Sequence, residues 1–189
     1  MIRLLKAADR AAIPWKNGGG VTRDVIVSPA GATLENFDWR ISIAEIASDG
    51  PFSTFPGIDR QLAVLHGKVA LTLDGRPPVT LDPETPALDF PGEAAVASQL
   101  VDGPSMDLNV MTRRGRYNSR LSRLSSAQPK LKSSQVIVIA ANSLTVISGN
   151  RVIAMAKLDA LLIEGSASLT IGPKGADYYL IEVSALRPR

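Results

Sequence analysis

The sequence contains no cysteine and a single histidine, His66, among 189 residues. Disulfides, thiol catalysis, zinc–cysteine sites and any two-histidine metal centre within one chain are thereby excluded. No nucleophile–histidine–acid set can be named around His66 either. Long apolar runs are missing too: stretches such as residues 136–141 fall far short of the roughly 18 residues a spanning helix needs. Near the N-terminus Arg3, Lys6, Asp9 and Arg10 interrupt any signal-peptide core. The expectation is a cytoplasmic protein with no membrane partner. Acidic residues are absent from residues 108–158, which hold nine Lys/Arg, while the remainder carries twelve basic against eighteen acidic residues. A basic stretch can track phosphates. A solvated connector explains this one equally well, and Tyr117 is its one aromatic side chain for stacking on a base. Nucleic acid is not an expected partner.

What is present is ordinary globular material, 45% hydrophobic and 21% charged. The length allows one domain or two very small ones. Turn signals recur every eight to twelve residues, at Asn17-Gly18, Asp49-Gly50-Pro51, Pro56-Gly57, Asp74-Gly75, Pro91-Gly92 and Asp102-Gly103-Pro104. Between them short runs alternate with period two: residues 21–27, 39–46, 61–65, 69–73 and 106–111. Apart from a short turn at residues 7–12, nothing before Gly115 carries a helical period. The pattern is that of an antiparallel sandwich or barrel. Residues 116–134, rich in Ser and basic residues, read as a linker. Strand-like runs then resume at 135–140, 144–148, 152–156, 160–163, 168–171 and 178–183. Residues 61–73 and 159–171 share one rhythm of strand, charged or polar residue plus Gly, and strand, which suggests an internal duplication. The expected division is residues 1–115, a linker at 116–134, and residues 135–189, with the N-terminal strand free to pair with the second unit.

Four polar constellations stand out. Trp15-Lys16-Asn17-Gly18-Gly19-Gly20-Val21-Thr22-Arg23-Asp24 has glycines that admit close backbone approach and an anion nest, but lacks the Walker and dinucleotide patterns. In Trp39-Arg40-Ile41-Ser42-Ile43-Ala44-Glu45, alternation puts Arg40, Ser42 and Ala44 on one face. A third run holds Asp49-Gly50-Pro51-Phe52-Ser53-Thr54-Phe55-Pro56-Gly57-Ile58-Asp59-Arg60, where the aromatics read as core and Asp59 with Arg60 as a solvated pair. In the fourth, Met106-Asp107-Leu108-Asn109-Val110-Met111-Thr112-Arg113-Arg114-Gly115, one face carries Asp107, Asn109 and Met111.

Together these four stretches resemble the HutD/Ves family over residues 2–185, most specifically over residues 13–115, with Asp24 standing where the family pattern has Glu. The resemblance implies an all-β bicupin, two cupin-like jelly-roll barrels in one chain, without the histidine metal ligands of typical cupins. It also implies a link to histidine utilisation or stress response. The functional expectation is a metal-free protein that binds a small anionic metabolite, as a regulatory sensor of a carboxylate such as urocanate or a formylated glutamate derivative. The alternative is a metal-independent isomerase or lyase. No cofactor is expected, and a homodimer is left open. The candidate ligand residues are Lys16, Asn17, Thr22, Arg23, Arg40, Ser42, Arg60, Asn109 and Arg113, with Arg40 and Lys16 foremost. Arg40 could instead serve as an ion-pair residue of the barrel, with Glu45 or Asp59.

Overall fold

The structure, a computed structural model, describes residues 1–186. Residues 187–189 of the expected second barrel lie outside the described residues. Among the described residues there is no α-helix, only one 3-10 turn at Ala7–Asp9, and no helix long and apolar enough to cross a membrane. The chain is all-β. It divides into two compact units: unit 1 comprises Met1–Arg10 with Ser119–Leu186, and unit 2 contains residues 11–118.

Unit 1 is built on β1 (Ile2–Leu5), β12 (Tyr117–Leu124), β13 (Gln135–Ala140), β14 (Leu144–Ser148), β15 (Arg151–Met155), β16 (Ala160–Glu164), β17 (Thr170–Gly172) and β18 (Tyr178–Ala185). A five-stranded sheet runs in the order β1-β16-β13-β18-β12, and a three-stranded sheet in the order β15-β14-β17. The N-terminal strand pairs antiparallel with β16, Ile2 opposite Ile163. The core is the side-chain set that alternation directs inward: Val136, Val138 and Ala140 from β13, Val146 from β14, Leu161 and Ile163 from β16, Ile171 from β17, and Tyr178 and Leu180 from β18. Its one polar tip is satisfied, because Tyr178 Oη donates to the Ser126 carbonyl at 2.8 Å.

The linker expected at 116–134 is corrected by this sheet, because its first part is β12. Alternate side chains of Tyr117–Leu124 face solvent, so the strand needs few apolar residues, and Leu121 is its one buried side chain.

Unit 2 holds β2 (Ile13–Pro14), β3 (Gly20–Ser28), β4 (Trp39–Ile46), β5 (Gly50–Pro51), β6 (Ile58–His66), β7 (Val69–Leu73), β8 (Val79–Leu81), β9 (Leu88–Pro91), β10 (Val96–Leu100) and β11 (Ser105–Arg113). Six strands form one sheet, β2-β3-β4-β11-β6-β9, and four form another, β5-β10-β7-β8. Leu62, Val64 and Phe90 of the larger sheet pack with Val69, Leu71, Leu81 and Val96 of the smaller. The β7–β8 connection starts at Asp74 and Gly75, both with positive φ, where the sequence placed a hairpin turn. The two segments of shared rhythm occupy matching places: residues 61–73 leave the six-stranded sheet on β6 and enter the four-stranded sheet on β7, and residues 159–171 go from the five-stranded sheet on β16 to the three-stranded sheet on β17.

Candidate functional site

The polar side chains of unit 2 converge on one face of the six-stranded sheet. Register fixes which ones do. Strand β11 pairs with β4 on one side, placing Asp107 opposite Ala44, Asn109 opposite Ser42 and Met111 opposite Arg40. On its other side it pairs with β6, placing Asp107 opposite Val64, Asn109 opposite Leu62 and Met111 opposite Arg60. Directly opposed residues share a face, so Arg40 and Arg60 flank Met111. A bulge in β3 between Asp24 and Ile26 lets Asp24 face Ser42 and Thr22 face Ala44 on that same surface.

Arg40, Ser42, Arg60, Asp107 and Asn109 are all buried, Asp107 to 1% exposure. Three of them form a connected chain. Arg60 Nη2 donates to Asn109 Oδ1 at 2.7 Å, and Asn109 Nδ2 donates to Asp107 Oδ1 at 2.6 Å. Arg60 Nη1 reaches the Ser53 carbonyl at 3.2 Å. Three phenyl rings surround its guanidinium, Phe90 at 4.8 Å and Phe52 and Phe55 each at 5.5 Å from the centroid. Phe55 is held by a bond from its N–H to the Gly92 carbonyl at 2.7 Å, and a Cβ on Gly92 would stand 2.4 Å from the Phe55 carbonyl oxygen; only glycine fits there. Arg40 Nη2 sits 2.5 Å from Asp24 Oδ1, and its Nη1 approaches Met111 Sδ at 3.8 Å. Asp24, rather than Glu45 or Asp59, is thus the ion-pair partner of Arg40.

Burial without a direct cation pushes the Asp107 carboxyl up to about 7, with Arg60 and Asn109 holding it back only partly. The same desolvation lowers Arg60 to about 10, opposed by Asp107 and reinforced by the like charge of Arg40. Three buried atoms of this set find no hydrogen-bond partner among the described residues: Arg40 Nε, Arg60 Nε and Asp107 Oδ2. Orphan buried polar groups cost about 1–3 kcal/mol each, so these three leave donor and acceptor capacity unmet on one surface.

Of the sequence candidates, the structure brings Thr22, Arg40, Ser42, Arg60 and Asn109 to this face. It gives the others different work. Lys16 is exposed in the turn between β2 and β3, and Asn17 accepts the Gly19 N–H at 3.0 Å to shape that turn. The glycine run is tight for a packing reason, since a Cβ on Gly20 would lie 2.3 Å from the Glu45 carbonyl oxygen. Arg23 lies on the opposite face of β3, opposite Ile43, and pairs with Glu45 at 2.5 Å. Arg113 donates to the Phe37 carbonyl at 2.7 Å and the Glu35 carbonyl at 3.3 Å, tying down the segment before β4. Thr22 accepts from Trp15 Nε1 at 2.7 Å. Asp107 and Asp24 are the residues the candidate set omitted; alternation along β11 already placed Asp107 with Asn109.

Among the described residues no three His, Cys, Asp or Glu side chains are grouped so as to hold a metal ion. His66 is exposed at the end of β6. Unit 1 has an open cavity of about 650 Å³ lined by Lys6, Ser143, Thr145, Met155 and Asp159 among others. Both Asp159 oxygens are committed there to backbone N–H groups, of Ala7 at 2.7 Å and Ala156 at 2.9 Å.

Comparison with known proteins agrees with this architecture. The HutD family model matches residues 7–180. The chain belongs to the HutD/Ves family. It is 38% identical over 172 residues to an uncharacterised 21.2 kDa protein in the hutC 3′ region of Pseudomonas putida, covering 89% of this chain and 90% of the relative. It is 40% identical over 109 residues to protein Ves of Citrobacter koseri, covering 57% of this chain and 56% of that one. The solved HutD of Pseudomonas fluorescens SBW25, from a formate condition, superposes with TM-score 0.85 at 30% identity over 99% of this chain and 100% of that one. A cupin 2 conserved barrel protein from Leptotrichia buccalis shares the fold alone, with TM-score 0.55 at 8% identity over 92% of each chain.

Proposed function

We propose that this HutD/Ves family chain is a small-molecule-binding protein that works without a resident metal, and that its ligand is a small carboxylate held on the inner face of unit 2. One observation carries the reading: two buried guanidinium groups, Arg40 and Arg60, flank Met111 with an unpartnered Nε each, beside Ser42 and Asn109. A carboxylate offers the acceptors such donors need, and charge-assisted bonds in a desolvated setting are the strong ones. Each unit is read as one cupin-like jelly-roll barrel, so that the chain is a bicupin acting in the cytoplasm. The place of the Pseudomonas putida relative in the hutC 3′ region supports a regulatory sensor in histidine utilisation, with urocanate or a formylated glutamate derivative as ligand.

Isothermal titration of both acids tests this. Arg40→Ala should weaken binding about ten- to a hundredfold, or about 1.5–3 kcal/mol, while the fold survives. Arg40→Lys should restore only part, because the planar fork is lost. Unchanged affinity in folded Arg40→Ala protein would remove Arg40 from the site and leave it as the ion-pair partner of Asp24. A second reading, a metal-independent isomerase or lyase, draws on Asp107, whose carboxyl near 7 suits proton transfer at neutral pH. Turnover of either acid in chelator, abolished by Asp107→Asn, would favour it.

A further inference from the structure

The free oxygen of Asp107 says something further about what the ligand must carry. Asp107 Oδ1 is taken by Asn109 Nδ2, and that amide cannot turn over, since its own oxygen receives Arg60 Nη2. Asp107 Oδ2 has no partner among the described residues. The side chains directly across from Asp107 on the neighbouring strands are Ala44 and Val64, which have nothing to donate. Neither arginine is turned toward it: Arg40 pairs with Asp24, and Arg60 directs its two Nη groups to Ser53 and Asn109. A buried acceptor with a small apolar neighbour and no protein donor is a recognition element for a donor that arrives with the ligand.

We infer that the carboxylate bound by the Arg40–Arg60 face also bears an N–H or O–H group, and that Asp107 Oδ2 accepts a hydrogen bond from it. The inference rests on the carboxylate-binding reading above. It narrows the ligand class from any small acid to acids with a hydrogen-bond donor on the part remote from the carboxylate. A plain acid of the same shape would occupy the arginines and leave Oδ2 desolvated and unpaired. The site therefore binds such acids more weakly than acids that bring the donor.

The test uses matched pairs of acids on wild-type protein and on Asp107→Leu. Urocanate, with an imidazole N–H, is set against 2-furylacrylate, whose ring has none; N-formylglutamate is set against glutarate. Titration calorimetry on the wild type at about pH 8.5, where the Asp107 carboxyl is ionised, should show the donor-bearing member of at least one pair binding about ten- to a hundredfold tighter. In Asp107→Leu that preference should fall to near unity, with the donor-free acid bound as well as before or better. Asp107→Asn, which keeps the shape and loses the charge, gives the same comparison with a partial loss of preference if the leucine variant does not fold. Equal wild-type affinity for both members of each pair, still sensitive to Arg40→Ala, overturns the inference and leaves carboxylate binding standing. So does a preference that survives in the Asp107 variants. Failure of all four acids to bind the wild type overturns both.

Discussion

The two units use the same plan, a larger sheet packed on a smaller one through an apolar cluster, and differ in what the central strand of the larger sheet turns inward. In unit 1 the inward positions of β13 are Val136, Val138 and Ala140, all fully buried, and the cluster they join is apolar except for the Tyr178 hydroxyl. In unit 2 the corresponding central strand, β11, presents Asp107, Asn109 and Met111. Buried polar groups left partly unpaired reduce stability, whereas an apolar cluster of the same volume adds to it. The contrast teaches that a polar central strand is optional in this architecture: unit 1 keeps its buried carboxylate, Asp159, outside its central strand with both oxygens bonded to backbone N–H groups.

The harshest way to break the contrast is to move the polarity across. Val138→Asp puts a carboxylate into the inner face of unit 1, where nothing is placed to receive it. A loss of about 3–5 kcal/mol is expected in urea unfolding. A loss below about 1 kcal/mol would show that the inner face of unit 1 tolerates charge as unit 2 does.

The second prediction concerns pH. Asp107 has its folded value raised, from 3.8 to about 7, so between those values the native state binds more protons than the unfolded one. Stability from this group is therefore fully present below about pH 4 and falls as pH rises through 7, by up to about 4 kcal/mol. Asp107→Asn should flatten that decline in chemical denaturation followed from pH 4.5 to 8, gaining most at the high end. An equal change at every pH would mean that the carboxyl does not titrate in this window.

The smallest effect is expected at the surface of unit 2, where Arg114 contacts Glu93 at 2.6 Å and Asp59 at 2.7 Å. The Arg114 hydrogen bonds depress the Glu93 carboxyl to about 2, so its contribution is present above the ordinary glutamate value and is lost as pH falls toward 2. Arg114→Ala should soften the acid limb of thermal melts in low salt and change little at neutral pH in high salt, since such exposed pairs are screened. A large neutral-pH effect would place Arg114 among the structural supports of the site.

Much of this was open to reading along the chain. Period-two alternation located β4, β7, β13 and β14 at their observed bounds, and it put Arg40 with Ser42 and Asp107 with Asn109. It works because a strand's geometry assigns every second side chain to one face whatever the neighbours are. The weak strands escaped it. Pairs such as β2 and β5 are two residues long and exist by virtue of their partners, and β12 is an edge strand whose Ser and Arg content resembles a linker.

Composition and local pattern by themselves determined the all-β class and the absence of thiol chemistry and of any two-histidine metal centre. Each depends on residue identity and short-range periodicity alone. Which residues meet was decided by tertiary structure. Arg40 found Asp24 because a bulge in β3 set the phase of that strand, and Arg23 was carried to the other face by the same alternation. Arg60, which reads as half of a solvated corner pair with Asp59, became a buried cation among Phe52, Phe55 and Phe90. Alternation assigns each residue its face, but which residues of strands distant in sequence stand opposite one another is chosen only when the sheets pack.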